Sequence, residues 1–493
     1  MNGGARSLFR ALGLCLPPLG VLLGGIGAWA WLRPRAPAVA PHVAPEAAAL
    51  PFRFEEMGPS SGVRFTADPG PPNFFLPEII GFGAAVVDVD GDGLQDLVFR
   101  GAVAGAPHPK GAAGRSTALF RQVGAGRFVD ASADSGIDHE GYGMGVATGD
   151  VNNDGLPDLY LTNYGGDALY LNLGGGKFAR VDAGLRNAGW ASSAAFFDFD
   201  RDGRLDLYVC NYCDYRAEVA CKLSGGREDY CSPKTFNGSV HRLYRNETPA
   251  GAKRPGEIRF RDVTVASGVG AKRGRGLGVA PVDLDDDGWP DLYVANDAER
   301  NFAWINGRNG AFQDRAPELN LAMDGFGRPQ GSMGIATGDV DEDGRADIVV
   351  TALRGEYTIV YRRGEHAFTD AAGRFGLALA TRARTGFGVA LADFDADGHL
   401  DMVQANGGVN QVRPTADAAT RADSRDSPEG AAAFWRLYEE PVTFLKGDGR
   451  SFRDALDETG ELAEVRGVLR GLAVGDLDGD GRPDLVLVPT ASA

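Results

Sequence analysis

The chain has 493 residues, 43% apolar and 24% charged, which excludes bulk disorder and suffices for two or three domains or one large repeat architecture. Its 71 glycines follow no G-X-Y period, which excludes a collagen and favours a turn-rich β chain. Net charge is −17, and since residues 1–35 hold four Arg and no acid, the remainder carries 46 basic against 67 acidic groups; such a surface repels phosphate backbones, and no nucleic-acid partner is expected.

In chain order, an uncharged run of 22 residues, 11–32, lies between Arg6 and Arg10 on one side and Arg33 and Arg35 on the other. That is long enough for one bilayer crossing, so residues 1–35 are read as a signal anchor with one N-terminal transmembrane helix. Residues 36–51, rich in Pro and Ala, form a stiff tether. Cleavage after Ala40 is disfavoured by Pro41.

Residues 52–493 repeat one motif, D-x-[DN]-x-D-G-x-x-D, seven times. Position one is Asp88, Asp150, Asp198, Asp283, Asp339, Asp393 and Asp476. Position three is Asp90, Asn152, Asp200, Asp285, Asp341, Asp395 and Asp478. Position five is Asp92, Asp154, Asp202, Asp287, Asp343, Asp397 and Asp480. Position nine is Asp96, Asp158, Asp206, Asp291, Asp347, Asp401 and Asp484, and position six is always Gly. Ca²⁺ takes six to eight hard oxygens, and carboxylates at positions one, three, five and nine with a carbonyl at seven can wrap one ion. Position seven varies from Leu94 to Trp289 to Arg482, as expected where only the main chain is used. Up to seven Ca²⁺ are therefore expected.

The flanks exclude EF-hands, which need helices. Residues 81–87 precede the first loop as a short Gly-bounded apolar run, and Leu97-Val98-Phe99 follows as a β-branched and aromatic one. The unit is strand, loop, strand. A hairpin such as Leu169-Tyr170-Leu171-Asn172 and a Phe-x-[DE] element recur with it, the latter at Phe54, Phe128, Phe260, Phe312, Phe368 and Phe452, with Phe178 as a weaker copy. At roughly 60 residues per unit this predicts an all-β, seven-bladed β-propeller. The Phe54 element precedes the first loop, so it can complete the last blade and close the circle, although no hairpin of the Leu-Tyr-x-Asn kind follows Asp476.

These units resemble the FG-GAP or VCBS repeats of integrin α-chain propellers. Residues 141–146, 190–199, Tyr230-Cys231-Ser232-Pro233 and Ala405-Asn406-Gly407 are similar to bacterial relatives of cartilage acidic protein. The resemblance implies an extracytoplasmic calcium-binding propeller without established catalysis. Such proteins often continue into an ASPIC/UnbV domain, which is not expected here.

Removing the 27 loop carboxylates leaves 40 acids against 46 bases, so the acidity of the soluble part resides in the loops, and seven Ca²⁺ would bring −21 to −7. Four carboxylates around one point repel without a cation, which couples metal to fold. Extracellular modules bind Ca²⁺ at about 10⁻⁴–10⁻³ M, an affinity matched to the periplasmic or extracellular face and not to cytosol.

The loop spacings, 62, 48, 85, 56, 54 and 83, place insertions at about 208–256 and 405–440. The first holds Cys210, Cys213, Cys221 and Cys231, which two disulfides explain outside the cytosol; a Cys₄ zinc site is the alternative. The second is either a solvated loop or a contact surface around Phe434, Trp435 and Tyr438. Trp190, Trp289 and Trp304 read as packing residues, with a sugar platform as the sharper alternative. No H-E-x-x-H, G-x-S-x-G or Walker loop occurs. His139-Glu140 is the one spot resembling a catalytic pair, and a surface loop explains it equally. The expected function is a membrane-tethered recognition or adhesion module whose partner is a protein or an envelope polysaccharide, not an enzyme. A propeller polysaccharide lyase or glycoside hydrolase is the alternative.

Overall fold

Each Asp motif forms the connection between two antiparallel strands in the computed structural model, which describes residues 52–490 apart from 66, 68–71, 103–115, 140, 223–225, 227 and 411–427. The first blade pairs Ala84–Val87, Asp96–Arg100, Thr117–Gly124 and Arg127–Asp130 in chain order, with Val87 opposite Asp96 across the loop. Five further four-stranded blades fall within 142–181, 191–262, 276–314, 335–370 and 386–454. Second strands such as Asp206–Asn211 and Asp291–Asn296 are buried at every residue, the pattern of a strand covered on both faces by neighbouring blades. Their Leu, Val and Tyr content is what such a position selects.

Six four-stranded blades result, not the seven expected. The Asp476 loop joins Leu469–Gly475 to Asp484–Pro489, which among the described residues form a two-stranded sheet. That pair packs between the first strands of the sixth and first blades. The ring encloses a central channel of about 250 Å3, lined in turn by Phe82, Met144, Ser192, Leu277, Met333, Phe387 and Arg470.

Closure follows from a repeated backbone contact. Phe260, Phe312, Phe368 and Phe452 each donate their N–H to a carbonyl of the preceding unit, at Ala183 (2.7 Å), Ser267 (2.7 Å), Leu319 (3.0 Å) and Phe375 (2.8 Å). Phe54 makes the same bond to Thr459 at 2.8 Å, and its carbonyl accepts from Glu461 at 3.1 Å. The early element thus docks at the far end of the chain, as its place ahead of the first loop predicts.

One mouth of the channel carries an aromatic cap. Residues 72–80, including the helix Leu76–Ile80, meet the first insertion and the helix Pro428–Trp435 in one buried cluster containing Phe75, Trp190, Tyr212, Tyr230, Phe434 and Tyr438. Phe434, Trp435 and Tyr438 are core, so the described part of the second insertion is neither a solvated loop nor an exposed contact surface. Buried Glu78 accepts from the Tyr230 hydroxyl at 3.1 Å, and Tyr438 donates to Asp229 at 2.7 Å. Arg470, fully enclosed, donates to the carbonyls of Ile79, Gly407, Leu469 and Gly408 and lies 3.8 Å over the Phe387 ring. Burial pulls its guanidinium down to about 9, yet four acceptors hold the charge.

Of the four insertion cysteines only Cys221 and Cys231 form a disulfide. Cys210 and Cys213 are buried thiols, which corrects the two-disulfide expectation. Cys210 packs between the third and fourth blades beside Tyr208 and Val294, whereas Cys213 belongs to the cap beside Trp190 and Tyr212. Proximity in sequence does not bring them together. The signal anchor (1–35) and tether (36–51) lie outside the described residues, among which no helix is long and apolar enough to cross a membrane. Replacing Arg470 with Met leaves four carbonyls without their donor; we expect a loss of about 3 kcal/mol in unfolding free energy, read as a lowered urea midpoint at unchanged slope.

Candidate metal centres

Every loop is wound around the position-one carboxylate. The position-six glycine donates its N–H to that group's Oδ2 in all seven, from 2.7 Å at Gly155 to 3.0 Å at Gly481. These glycines have φ between +78° at Gly288 and +92° at Gly398, a region that a side chain strains. Position four is also left-handed throughout, at Gly91, Asn153, Arg201, Asp286, Glu342, Ala396 and Gly479, a feature the motif does not announce because five of the seven are not Gly. Position five closes the turn by accepting from the position-seven amide, for example Trp289 to Asp287 at 2.7 Å.

Position nine ties the loop to its sheet. Its Oδ2 accepts from the position-two amide, as at Val89 to Asp96 (2.9 Å) and Leu477 to Asp484 (2.7 Å). In the six four-stranded blades its Oδ1 accepts from the third strand, at Gln122, Asn172, Asn246, Asn306, Arg363 and Gly447. Burial pushes these carboxyls up, to about 6 at Asp96, Asp347 and Asp401, about 7 at Asp158 and Asp291 and about 8 at Asp206.

The structure brings positions one, three and nine together. Oxygens of Asp88, Asp90 and Asp96 lie within 4.8 Å of one another, as do those of the corresponding triads in the third, fourth, fifth and sixth loops. Position five is not among the residues of those five triads. The residues fit a hard cation on a further ground. The Oδ1 atoms of Asp90, Asp200, Asp341 and Asp395, and that of Asn152, are shut off from solvent and have no hydrogen-bond donor. Such an oxygen, beside two carboxylates, offers a lone pair of the kind a hard cation takes.

A second set of side chains surrounds the loops, and the motif gives no sign of it. The residue preceding each third-strand donor is Arg121, Leu171, Arg245, Ile305, Arg362 or Lys446 in the six blades. Arg121 pairs with Asp90; Arg245 with Asp200 (2.7 Å) and Asp202 (3.2 Å); Arg362 with Asp341 and Asp343 (2.8 Å); Lys446 with Asp395 and Asp397 (2.9 Å). In all four the cation holds Oδ2 of position three, leaving the orphaned Oδ1.

Elsewhere the titratable groups are structural. His139 is buried with Nε2 3.1 Å from the Gly166 carbonyl, and burial pulls it down to about 3; Glu140 lies outside the described residues. His241, 2.8 Å from the Tyr208 hydroxyl, is held near 4 by the same cause. Trp190 and Trp304 are core, and Trp289 is half-buried under Arg201, 4.4 Å from its ring. None forms an open platform.

The FG-GAP-like repeat family matches residues 88–161, 150–209, 283–350 and 343–403, stretches that begin or end around the first six Asp loops. Among curated proteins, cartilage acidic protein 1 of Mus musculus is 26% identical over 449 residues, covering 85% of this chain and 59% of that protein. Its counterparts in Xenopus tropicalis (25% identity; 83% and 58%) and Homo sapiens (26%; 85% and 57%) are similar. The chain spans less than three fifths of the length of these relatives. Solved structures similar in outline include a lectin from Agrocybe aegerita described as recognising non-reducing terminal N-acetylglucosamine, at 14% identity, TM-score 0.38, and 84% and 87% coverage of the two chains. A soluble aldose sugar dehydrogenase from Escherichia coli matches at 11% identity, TM-score 0.33, and 71% and 94% coverage. Likenesses of this size carry no function.

Two outcomes follow from the loop geometry. Asp carboxyls raised in the folded state contribute stability that is full below their ordinary value and is lost as pH rises through about 6 to 8, so chelator-treated protein is expected to melt progressively lower across that window in a pH series. Gly203→Ala, at φ +82° with open space around it, is expected to lower stability by about 1 kcal/mol through backbone strain alone, measured by urea unfolding.

Proposed function

From the premise that this chain is built of FG-GAP-like repeats, we propose that it is a calcium-stabilised β-propeller serving as an extracytoplasmic recognition or adhesion module, held at the membrane by residues 1–35. The observation that carries the reading is the solvent-excluded, donor-free oxygen at position three, set among the carboxylates of positions one and nine. Positions one, three and nine would hold the ion. When bound, it supplies positive charge to carboxylates that otherwise repel, and so joins the two strands flanking each loop. The chain's own part is to fix the carboxylates: position one by the loop amides, position nine by the sheet.

The central channel gives catalysis little support. Its lining includes one charged side chain, Arg470, whose guanidinium already serves four carbonyls, and the cap covers one mouth. The partner of such a module is a protein or an envelope polysaccharide. Calcium at ten times a site's Kd contributes about 1.4 kcal/mol per site. The purified chain from residue 52 onward is therefore expected to melt several degrees higher in millimolar calcium than in chelator, with more than one ion per chain by elemental analysis. Unchanged melting and no bound metal would overturn the calcium reading, and a glycan array beside a pull-down from envelope extracts would separate the two partner classes.

A further inference from the structure

The seven loops obey a charge rule at position three. Where the third strand supplies a cation, in the first, third, fifth and sixth loops, position three is an Asp whose side chain is mostly enclosed, 5%, 20%, 4% and 9% exposed at Asp90, Asp200, Asp341 and Asp395. Where the strand offers Leu171, position three is the neutral Asn152. Where it offers Ile305, position three is Asp285, 25% exposed and 3.7 Å from Arg315 just past the fourth strand; in the seventh loop, which joins a two-stranded sheet, it is the exposed Asp478. No loop places an unpaired, buried carboxylate at that position. Neutrality in the second loop, Arg315 in the fourth and solvent in the seventh relieve the three loops that lack a third-strand cation.

We propose that Arg121, Arg245, Arg362 and Lys446 are resident counter-ions: each neutralises its loop's buried position-three carboxylate when no divalent ion is bound, and weakens that loop's calcium affinity when one is. The proposal rests on the calcium reading for its second half only. Geometry separates the two roles. The cation takes Oδ2 and leaves Oδ1 free, so it does not occupy the ion's place. It remains a positive charge a few ångströms from a doubly positive ion, a repulsion of the order of 1–2 kcal/mol at water-like screening. Counting only the four motif positions and the strand residue, Asp with Arg and Asn with Leu give the same charge of −3 before any ion enters.

The test is thermal unfolding in chelator together with calorimetric calcium titration of the full chain and three variants. R245L is expected to melt lower than wild type in chelator, by about 2 °C or more, and to gain about tenfold in the calcium affinity of one site. D200N/R245L, which copies the Asn152 and Leu171 pair, is expected to recover the wild-type melting temperature in chelator. K446M should repeat the R245L result in another blade and stands in for it if R245L folds poorly. R245L and K446M melting like wild type in chelator, or D200N/R245L failing to recover, would overturn the counter-ion role. Unchanged or weaker calcium binding by both single variants would overturn the affinity role. If the wild type binds no calcium, the calcium reading and with it the affinity role fall, while the chelator arm still decides the counter-ion role.

Discussion

A carboxylate at position nine receives amide protons from two directions, from the start of its own loop and from the neighbouring third strand of the sheet. That pair of bonds fixes the loop to the blade, and the rest of the unit is arranged about it. The loop must turn within five residues to bring its amides onto position one, which forces left-handed backbone at positions four and six. The second strand begins at the same carboxylate and is buried along its length, mostly by apolar side chains, with polar ones such as Arg100 and Asn211 at its far end. An acid buried this deeply is unfavourable as an anion unless donors or a cation surround it. At position three, Asp90, Asn152, Asp200, Asp341 and Asp395 each keep one enclosed oxygen without a donor.

Around the ring the same contact recurs between successive Phe elements, so each unit leans on its neighbour and a defect in one is shared with the next. The two-stranded sheet Leu469–Gly475 and Asp484–Pro489 is the thinnest part of the circle. The cap lies against this part of the ring through Arg470, which joins Ile79 at the start of the chain to Gly407 and Gly408 beside the second insertion. One buried cation thus gathers three segments far apart in sequence.

Much of this was legible in the sequence because it is local. The D-x-[DN]-x-D-G-x-x-D spacing is itself the loop, and the apolar runs beside it can form only strands. The Phe54 closure follows from the phase of the repeat. Counting loops, however, counts connections and not strands: Asp476 marks a loop like the other six, yet it joins a two-stranded sheet and not a four-stranded blade. The cap was invisible because Phe75, Tyr230 and Phe434 are separated by some 150 to 200 residues, and their environment exists only after the ring has formed. Arg121 and Lys446 look like ordinary solvated side chains on alternating strands, and their role depends on which carboxylate lies across the blade. The second disulfide failed for a related reason: the strand Asp206–Asn211 holds Cys210 inside the blade stack while the chain carries Cys213 out of it.

The Phe54 contact also has a mechanical meaning. A pull on the chain ahead of residue 52 is transmitted first to the two backbone bonds joining Phe54 to Thr459 and Glu461. The Phe52 ring, stacked 5.5 Å from Phe444, and the Phe54 ring, 5.7 Å from Phe394, press that segment against the sixth blade. Such a pull would reach the seam where the circle is fastened, and the aromatic contacts there share the load with the two backbone bonds.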